Sequence, residues 1–196
     1  MKKISYLDYL KYGKYDKETF NIYKRDINNE DYRGLLIYSI FAIFTNLIIY
    51  IVSFFPIFTE TLHKYNLLFL LAFILSLVVY SVCKCKPFLK STRKYLKFIF
   101  YIYITLLFLI YANIGLLSDV NASISILMGI YIITPIFLMD KPFRYSAILG
   151  VLTIFVCIES FYLKTDVYAM VDLLKSILFY LFSCALTYYL FNSRME

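Results

Sequence analysis

The residues whose types could support chemistry are few and widely spaced. Glu159 is the one ionisable residue well inside an apolar segment, and a carboxylate in that setting is costly to bury, so it is a candidate for binding a ligand or a proton. Two alternatives are that Glu159 reaches the outer interface, or that the predicted fifth span is one turn too long. Asn46 and Asn113 are the other polar groups within reach of such a site, although interhelical hydrogen bonding is the simpler expectation for both.

Cysteine and histidine are too sparse to predict a metal site. Cys83 and Cys85 form a C-x-C pair, but tetrahedral zinc needs about four nitrogen or sulfur ligands. The only histidine, His63, falls on the opposite side of the predicted membrane. Cys157 and Cys184 lie in apolar segments, where they behave as small apolar residues. The sequence predicts no metal and no cofactor. It also predicts no disulfide, because the cytosol keeps thiols reduced.

Catalytic motifs are missing from the sequence as well. It contains no H-E-x-x-H, no G-x-S-x-G and no glycine-rich phosphate loop, and there are only five glycines. One histidine and one buried carboxylate do not make a convincing acid–base pair. We therefore predict no catalytic residues and no enzymatic activity for this chain.

The elements that must hold these residues are membrane spans. The 196 residues are 62% hydrophobic, with a mean hydropathy of +0.73, well above a soluble domain. The apolar runs are continuous, which excludes an alternating β-barrel pattern. An all-α bundle of six transmembrane helices is predicted, at residues 35–55, 65–83, 98–117, 122–139, 145–163 and 173–191, with the lipid bilayer as its partner.

The distribution of charge predicts the orientation of these spans. The net charge is +7, and 17 of the 20 basic residues fall in segments that alternate spans would place on one side. By the positive-inside rule both termini are cytoplasmic, and the charge needs no nucleic-acid partner. A bias toward Ile, Lys, Asn and Tyr indicates a bacterial gene, hence the bacterial plasma membrane.

The polar segment 1–34 is predicted to be a cytoplasmic tail with a short amphipathic helix. Phe20, Tyr23 and Ile27 recur at helical spacing on one face, and basic residues fill much of the rest. Two interpretations stay open: a helix lying on the membrane surface, or a solvated helix leading into the first span.

The most distinctive segment is a tight corner between the fourth and fifth predicted spans. Pro135 should free a backbone carbonyl that a neighbouring helix can satisfy. Pro142 forces the turn, and Asp140 and Arg144 are placed to pair across it. As chemistry, this is a structural corner.

The corner, P-x-F-x-x-D-K-P-F-R from Pro135 to Arg144, resembles one in the N-terminal membrane regions of Clostridia-type GGDEF-domain diguanylate cyclases. In those regions an acidic residue opens the sixth span, as Asp172 would here. An aromatic-Leu-x-x-x-R-x-E junction leads into the cyclase, and residues 189–196 match it, with 192–196 as its start. The G-G-D/E-E-F signature is absent, so no cyclase site is assigned to this chain.

The resemblance implies a membrane sensory and anchoring module, working as a homodimer and coupled to a cytoplasmic cyclase domain. A small-molecule stimulus would act between the helices, because the predicted outer loops are short. An alternative is the substrate-binding membrane subunit of a vitamin-type importer, which also has about six spans but is usually richer in small residues where helices meet. A stand-alone membrane protein of toxin or immunity type is a third.

Overall fold

The computed structural model describes residues 17–55, 64–84, 86–118, 126–138 and 140–195, and no strand occurs in these ranges. Five helices are long and apolar enough to cross a membrane, and a sixth is short and apolar. The prediction of an all-α, multi-pass membrane protein is confirmed. In chain order the helices are α1 (Lys17–Val52), α2 (Asn66–Lys84), α3 (Lys86–Ser118), α4 (Ile126–Phe137), α5 (Pro142–Leu163) and α6 (Asp166–Met195).

The first helix is longer than the sequence predicts. It begins at Lys17 and continues without a break through residue 35, so much of the predicted tail 1–34 and the first span form one helix. At 1.5 Å per residue, its 36 residues extend about 54 Å, well beyond a hydrocarbon layer of about 30 Å. No proline interrupts the segment, and hydropathy alone does not mark where a helix leaves the membrane. Ile27 is buried and Tyr23 is partly exposed.

Other helix boundaries also differ from the hydropathy pattern. The third helix begins at Lys86, so part of the basic segment before residue 98 is helical, with Pro87 in the first turn, where proline is tolerated. The fifth helix begins at Pro142, three residues before the predicted span 145–163, because proline is also tolerated in the first turn there. The sixth begins at Asp166, whose carboxylate favours a helix N-terminus, instead of at 173.

The fourth helix is short, and the predicted span 122–139 is described only in part. Its 12 residues extend about 18 Å, less than a bilayer core. Residues 122–125 and 139 lie outside the described ranges. A complete fourth crossing therefore stays a prediction.

The helices run alternately up and down, with α3 in the middle. Helix α1 packs on α2 and α5 packs on α6, while α3 contacts α1, α2, α4 and α5. The first half of α1, the N-terminal part of α3 around Lys97, the α4–α5 connection and the last turn of α6 meet at one end, which we call the basic end. The α5–α6 connection lies at the opposite end.

Aromatic side chains fill the core where α1, α3 and α4 meet. The Tyr38 ring lies edge-on to Tyr103, at 5.8 Å between centroids, and Phe108 lies edge-on to Tyr131 at 5.6 Å. Large aliphatic residues remain exposed on the outer helix faces, among them Ile48, Val151 and Leu178. An apolar exterior around a close-packed interior is what a lipid environment requires.

Candidate functional site

A cluster of four charged residues and one tyrosine joins four segments at the basic end, and we call it the basic-end cluster: Asp31, Lys97, Tyr101, Asp140 and Arg144. Lys97 Nζ donates to Asp140 Oδ1 at 2.7 Å and lies 3.4 Å from Asp31 Oδ2. Asp140 Oδ2 accepts from the Tyr101 hydroxyl at 2.9 Å and from Arg144 Nη1 at 3.2 Å. The predicted pairing of Asp140 with Arg144 is confirmed, but it is one contact among several.

Asp140 is the electrostatic centre of this cluster. Burial by itself would raise the pKa of its carboxyl group. The charge and hydrogen bond of Lys97, the charge of Arg144 and a hydrogen bond from the Lys141 backbone outweigh burial, and they hold the pKa of Asp140 below its ordinary value. Asp140 is therefore an ionised anchor on which the α3 and α5 cations converge.

A close approach of two backbones lies beside the cluster. Gly34 of α1 faces the carbonyl oxygen of Phe137 at the end of α4, and a Cβ at position 34 would collide with that oxygen. A cavity of about 690 Å³ opens here between α1, α4 and the end of α6, with Asp26, Glu30 and Arg194 among its lining residues. Glycine at this position thus sets how closely α1 approaches α4.

Two side chains of α6 satisfy backbone carbonyls of α4. Pro135 has no N–H to donate to the Tyr131 carbonyl one turn earlier, and the Ser183 hydroxyl donates to that oxygen at 2.6 Å. The predicted rescue of a freed carbonyl by a neighbour is confirmed. Near the end of α4, Arg194 Nη2 donates to the Ile136 carbonyl, which the ending helix leaves without an intrahelical donor.

A second charged pair lies at the opposite end, within the α5–α6 hairpin. Lys164 Nζ is 3.0 Å from Asp172 Oδ2, and both side chains are fully buried. The Ser160 hydroxyl donates to the same carboxylate oxygen at 2.9 Å. Asp172 does not begin the sixth helix: it lies more than one turn inside α6, which begins at Asp166, so the expectation that Asp172 opens the sixth span stays a prediction.

The three residues considered for ligand binding have separate environments. Asn46 is buried on α1, where it donates to the Ala42 carbonyl and accepts from the Tyr111 hydroxyl of α3 at 2.6 Å, as expected for an interhelical contact. Asn113 is exposed and donates to the Leu109 carbonyl of its own helix, and within the described ranges the structure shows no hydrogen bond from it to another helix.

Glu159 is partly exposed on α5, near the opposite end. Its Oε2 atom is buried and makes no hydrogen bond with the residues that the structure describes. The ligand role considered for Glu159 stays a hypothesis, and the structure joins it to neither asparagine through a hydrogen bond.

The cysteines do not gather in the described part of the chain. Cys83 and Cys157 are buried as free thiols, and Cys184 is half-buried. Cys85 and His63 lie outside the described residues. Within the described ranges, no three residues of the types His, Cys, Asp and Glu approach closely enough to hold a metal.

The sequence patterns missed most of the basic-end cluster and the whole Lys164–Asp172 pair. The charge distribution assigns Lys97 to a cytoplasmic loop. In the structure Lys97 lies on α3, one helical turn before Tyr101. The signal that identifies the α5–α6 pair is a lysine in the two-residue connection, Lys164, followed eight residues later by an aspartate, Asp172.

Comparison with known proteins returns no match: no family model, curated protein or solved structure is detectably similar to this chain.

Proposed function

We propose that the chain is the membrane anchoring and regulatory module of a bacterial signalling protein, with the basic end at the cytoplasmic face. Two observations support this orientation. The positive-inside rule assigns most of the Lys and Arg residues to the cytoplasm. The first half of α1 and the last turn of α6 both lie at the basic end, as two cytoplasmic termini require.

The observation that carries the proposal is the contact between Arg194 and the Ile136 carbonyl. Helix α6 is continuous over 30 residues, about 45 Å, so a displacement at the opposite end reaches its last turn. Arg194 connects that last turn to α4. A stimulus that changes the packing of α4 against α6 would make or break this contact.

The output in this proposal is a diguanylate cyclase domain joined after residues 192–196, with the module acting as a homodimer. The resemblance of the 135–144 corner and the 189–196 junction supports this choice. Because this contact is exposed to solvent, it contributes about 0.5–1.5 kcal/mol, which changes an equilibrium between two packings roughly two- to ten-fold. Loss of one contact is thus enough to alter the apposition of two cyclase domains.

The test joins a diguanylate cyclase catalytic domain to Glu196 and measures cyclic-di-GMP formation in isolated membranes. We expect Arg194→Gln to change the rate at least three-fold. Arg33→Gln is the matched control, because Arg33 is a basic-end arginine whose 3.1 Å ion pair is with Glu30 on its own helix. Equal rates for the wild type and both variants, at equal membrane abundance, would contradict coupling through α6.

The mass of the native gene product tests the presence of an output domain directly. An antibody against residues 1–33 should detect a protein larger than 23.3 kDa by on the order of 100–200 residues. A band at 23 kDa in the source cells would rule out a fused cyclase.

A further inference from the structure

We propose that the groove between α3 and α5 at the basic end binds one anionic phospholipid, with its phosphate at Arg144 and Lys97 and an acyl chain along the groove. The groove has a volume of about 500 Å³, within the usual range of ligand sites. Its lining includes Lys97, Tyr101, Leu106, Arg144 and Ile148. This inference does not depend on the proposed signalling role.

The charges are arranged with the cations outward and the carboxylates inward. The side chains of Lys97 and Arg144 are 21% and 50% exposed, whereas those of Asp31 and Asp140 are almost completely buried. The Asp140 carboxylate accepts a hydrogen bond from Nη1 of Arg144. The Arg144 side chain nevertheless remains half exposed beside the groove. An approaching anion therefore meets the cations first, while the carboxylates hold them in place.

The adjoining sequence adds to the positive charge. Residues 84–97 contain six basic and no acidic residues, and Lys97, the last of these basic residues, lines the groove. Basic pockets between transmembrane helices on the cytoplasmic side are suited to anionic headgroups, and each nearby basic residue adds about 1 kcal/mol of attraction to an acidic leaflet. The charge of this end is thus complementary to a phosphodiester headgroup.

The rest of the groove favours a lipid over a soluble phosphate. Leu106 is nine residues after Lys97, or about 13.5 Å further along α3, so the wall becomes apolar away from the cations. Phe98, Ile102 and Leu106 are all substantially exposed on the same side. A soluble anion would leave this wall uncovered, whereas an acyl chain would cover it.

The test uses the absence of tryptophan from the chain. A single tryptophan from Leu106→Trp reports on the groove. Ile154→Trp is the control: Ile154 is exposed on α5 at a similar depth, ten residues after Arg144, and does not line the groove. Each full-length variant is reconstituted in phosphatidylcholine vesicles with increasing fractions of phosphatidylglycerol or phosphatidylcholine brominated in mid-chain, and fluorescence quenching is measured.

We expect Leu106→Trp to be half-quenched at a brominated phosphatidylglycerol fraction at least three-fold lower than for brominated phosphatidylcholine. The Ile154→Trp control should show no preference. In 0.5 M salt the preference should largely disappear, which tests the electrostatic part without a further variant. Equal quenching of Leu106→Trp by the two lipids overturns the proposal.

Charge variants then locate the headgroup. In the Leu106→Trp background, Arg144→Gln should abolish the preference, and Arg144→Lys should keep at least half of it. Arg33→Gln, the arginine control outside the groove, should leave the preference unchanged. A preference that survives Arg144→Gln, or falls equally with Arg33→Gln, assigns the effect to general surface charge and overturns the site.

Discussion

The two ends of the bundle both contain buried carboxylates neutralised by lysine, but they are built differently. The basic-end cluster joins residues from α1, α3 and α5 to the α4–α5 connection, and both of its cations are partly exposed. The Lys164–Asp172 pair connects residues eight positions apart within one hairpin and is completely buried. The first arrangement determines how distant helices pack, and the second closes a local turn.

This difference has an energetic consequence. A fully buried ion pair is expensive to break, because removal of one partner leaves an uncompensated charge with no access to water. At the basic end, Lys97 and Arg144 are partly solvated, so loss of one contact is partly compensated. We therefore expect the opposite end to dominate stability and the basic end to tolerate rearrangement.

The largest expected effect is at Asp172. Asp172→Ala leaves the Lys164 ammonium buried without its carboxylate and should destabilise the protein by about 3–5 kcal/mol, measured by unfolding in mixed micelles with increasing SDS. Asp166→Ala is the control, since Asp166 is an exposed acidic residue in the first turn of the same helix.

A double variant shows whether that cost comes from the unpaired charge. Lys164→Met combined with Asp172→Leu replaces the pair with apolar groups and should recover most of the lost stability. If Asp172→Ala costs no more than Asp166→Ala, the proposed contrast between the two ends is wrong.

At the basic end, Asp140→Asn should lower the free energy of unfolding by about 1.5–3 kcal/mol, which is less than the loss expected for Asp172→Ala in the same assay. The asparagine keeps most of the shape and part of the hydrogen bonding, and Lys97 retains Asp31 as a partner. A cost above that of Asp172→Ala would reverse the ranking of the two ends.

The lowered pKa of the Asp140 carboxyl group predicts that the stability of the protein depends on pH. The pKa of Asp140 is lower in the folded protein than in the unfolded chain, so its charge contributes stability above the ordinary carboxyl pKa of about 4. That contribution is lost as the pH falls through the lower folded-state value. The stability difference between wild type and Asp140→Asn should be constant from pH 7 to 5 and should shrink below pH 4. A difference that grows on acidification would contradict the direction of the shift.

Contacts between residues close in the sequence could be predicted from their spacing. Contacts between residues far apart in the sequence could not, because they form only when the helices pack. Asp140 and Arg144 are four residues apart on either side of a proline, so their pairing could be predicted from the sequence. Nothing in the sequence near Lys97 indicates Asp31, because that contact exists only once α1 and α3 pack. Hydropathy does not indicate the Lys164–Asp172 pair for a related reason: a charged residue lowers local hydropathy, so an apolar run ends where a buried ion pair begins.

The smallest expected effect lies between the two ends, at Ser183. Ser183→Ala removes the donor to the Tyr131 carbonyl that Pro135 leaves without a helical partner, and also the contact with the Tyr145 hydroxyl at 3.0 Å. Interhelical hydrogen bonds of this kind contribute about 0.6–2 kcal/mol in membranes. Ser193→Ala, an exposed serine on the same helix, is the control and should leave stability unchanged. Pro135→Ala restores an N–H to α4, so the cost of Ser183→Ala should fall in that background. An unchanged cost would show that Ser183 acts through Tyr145 instead of through the freed carbonyl.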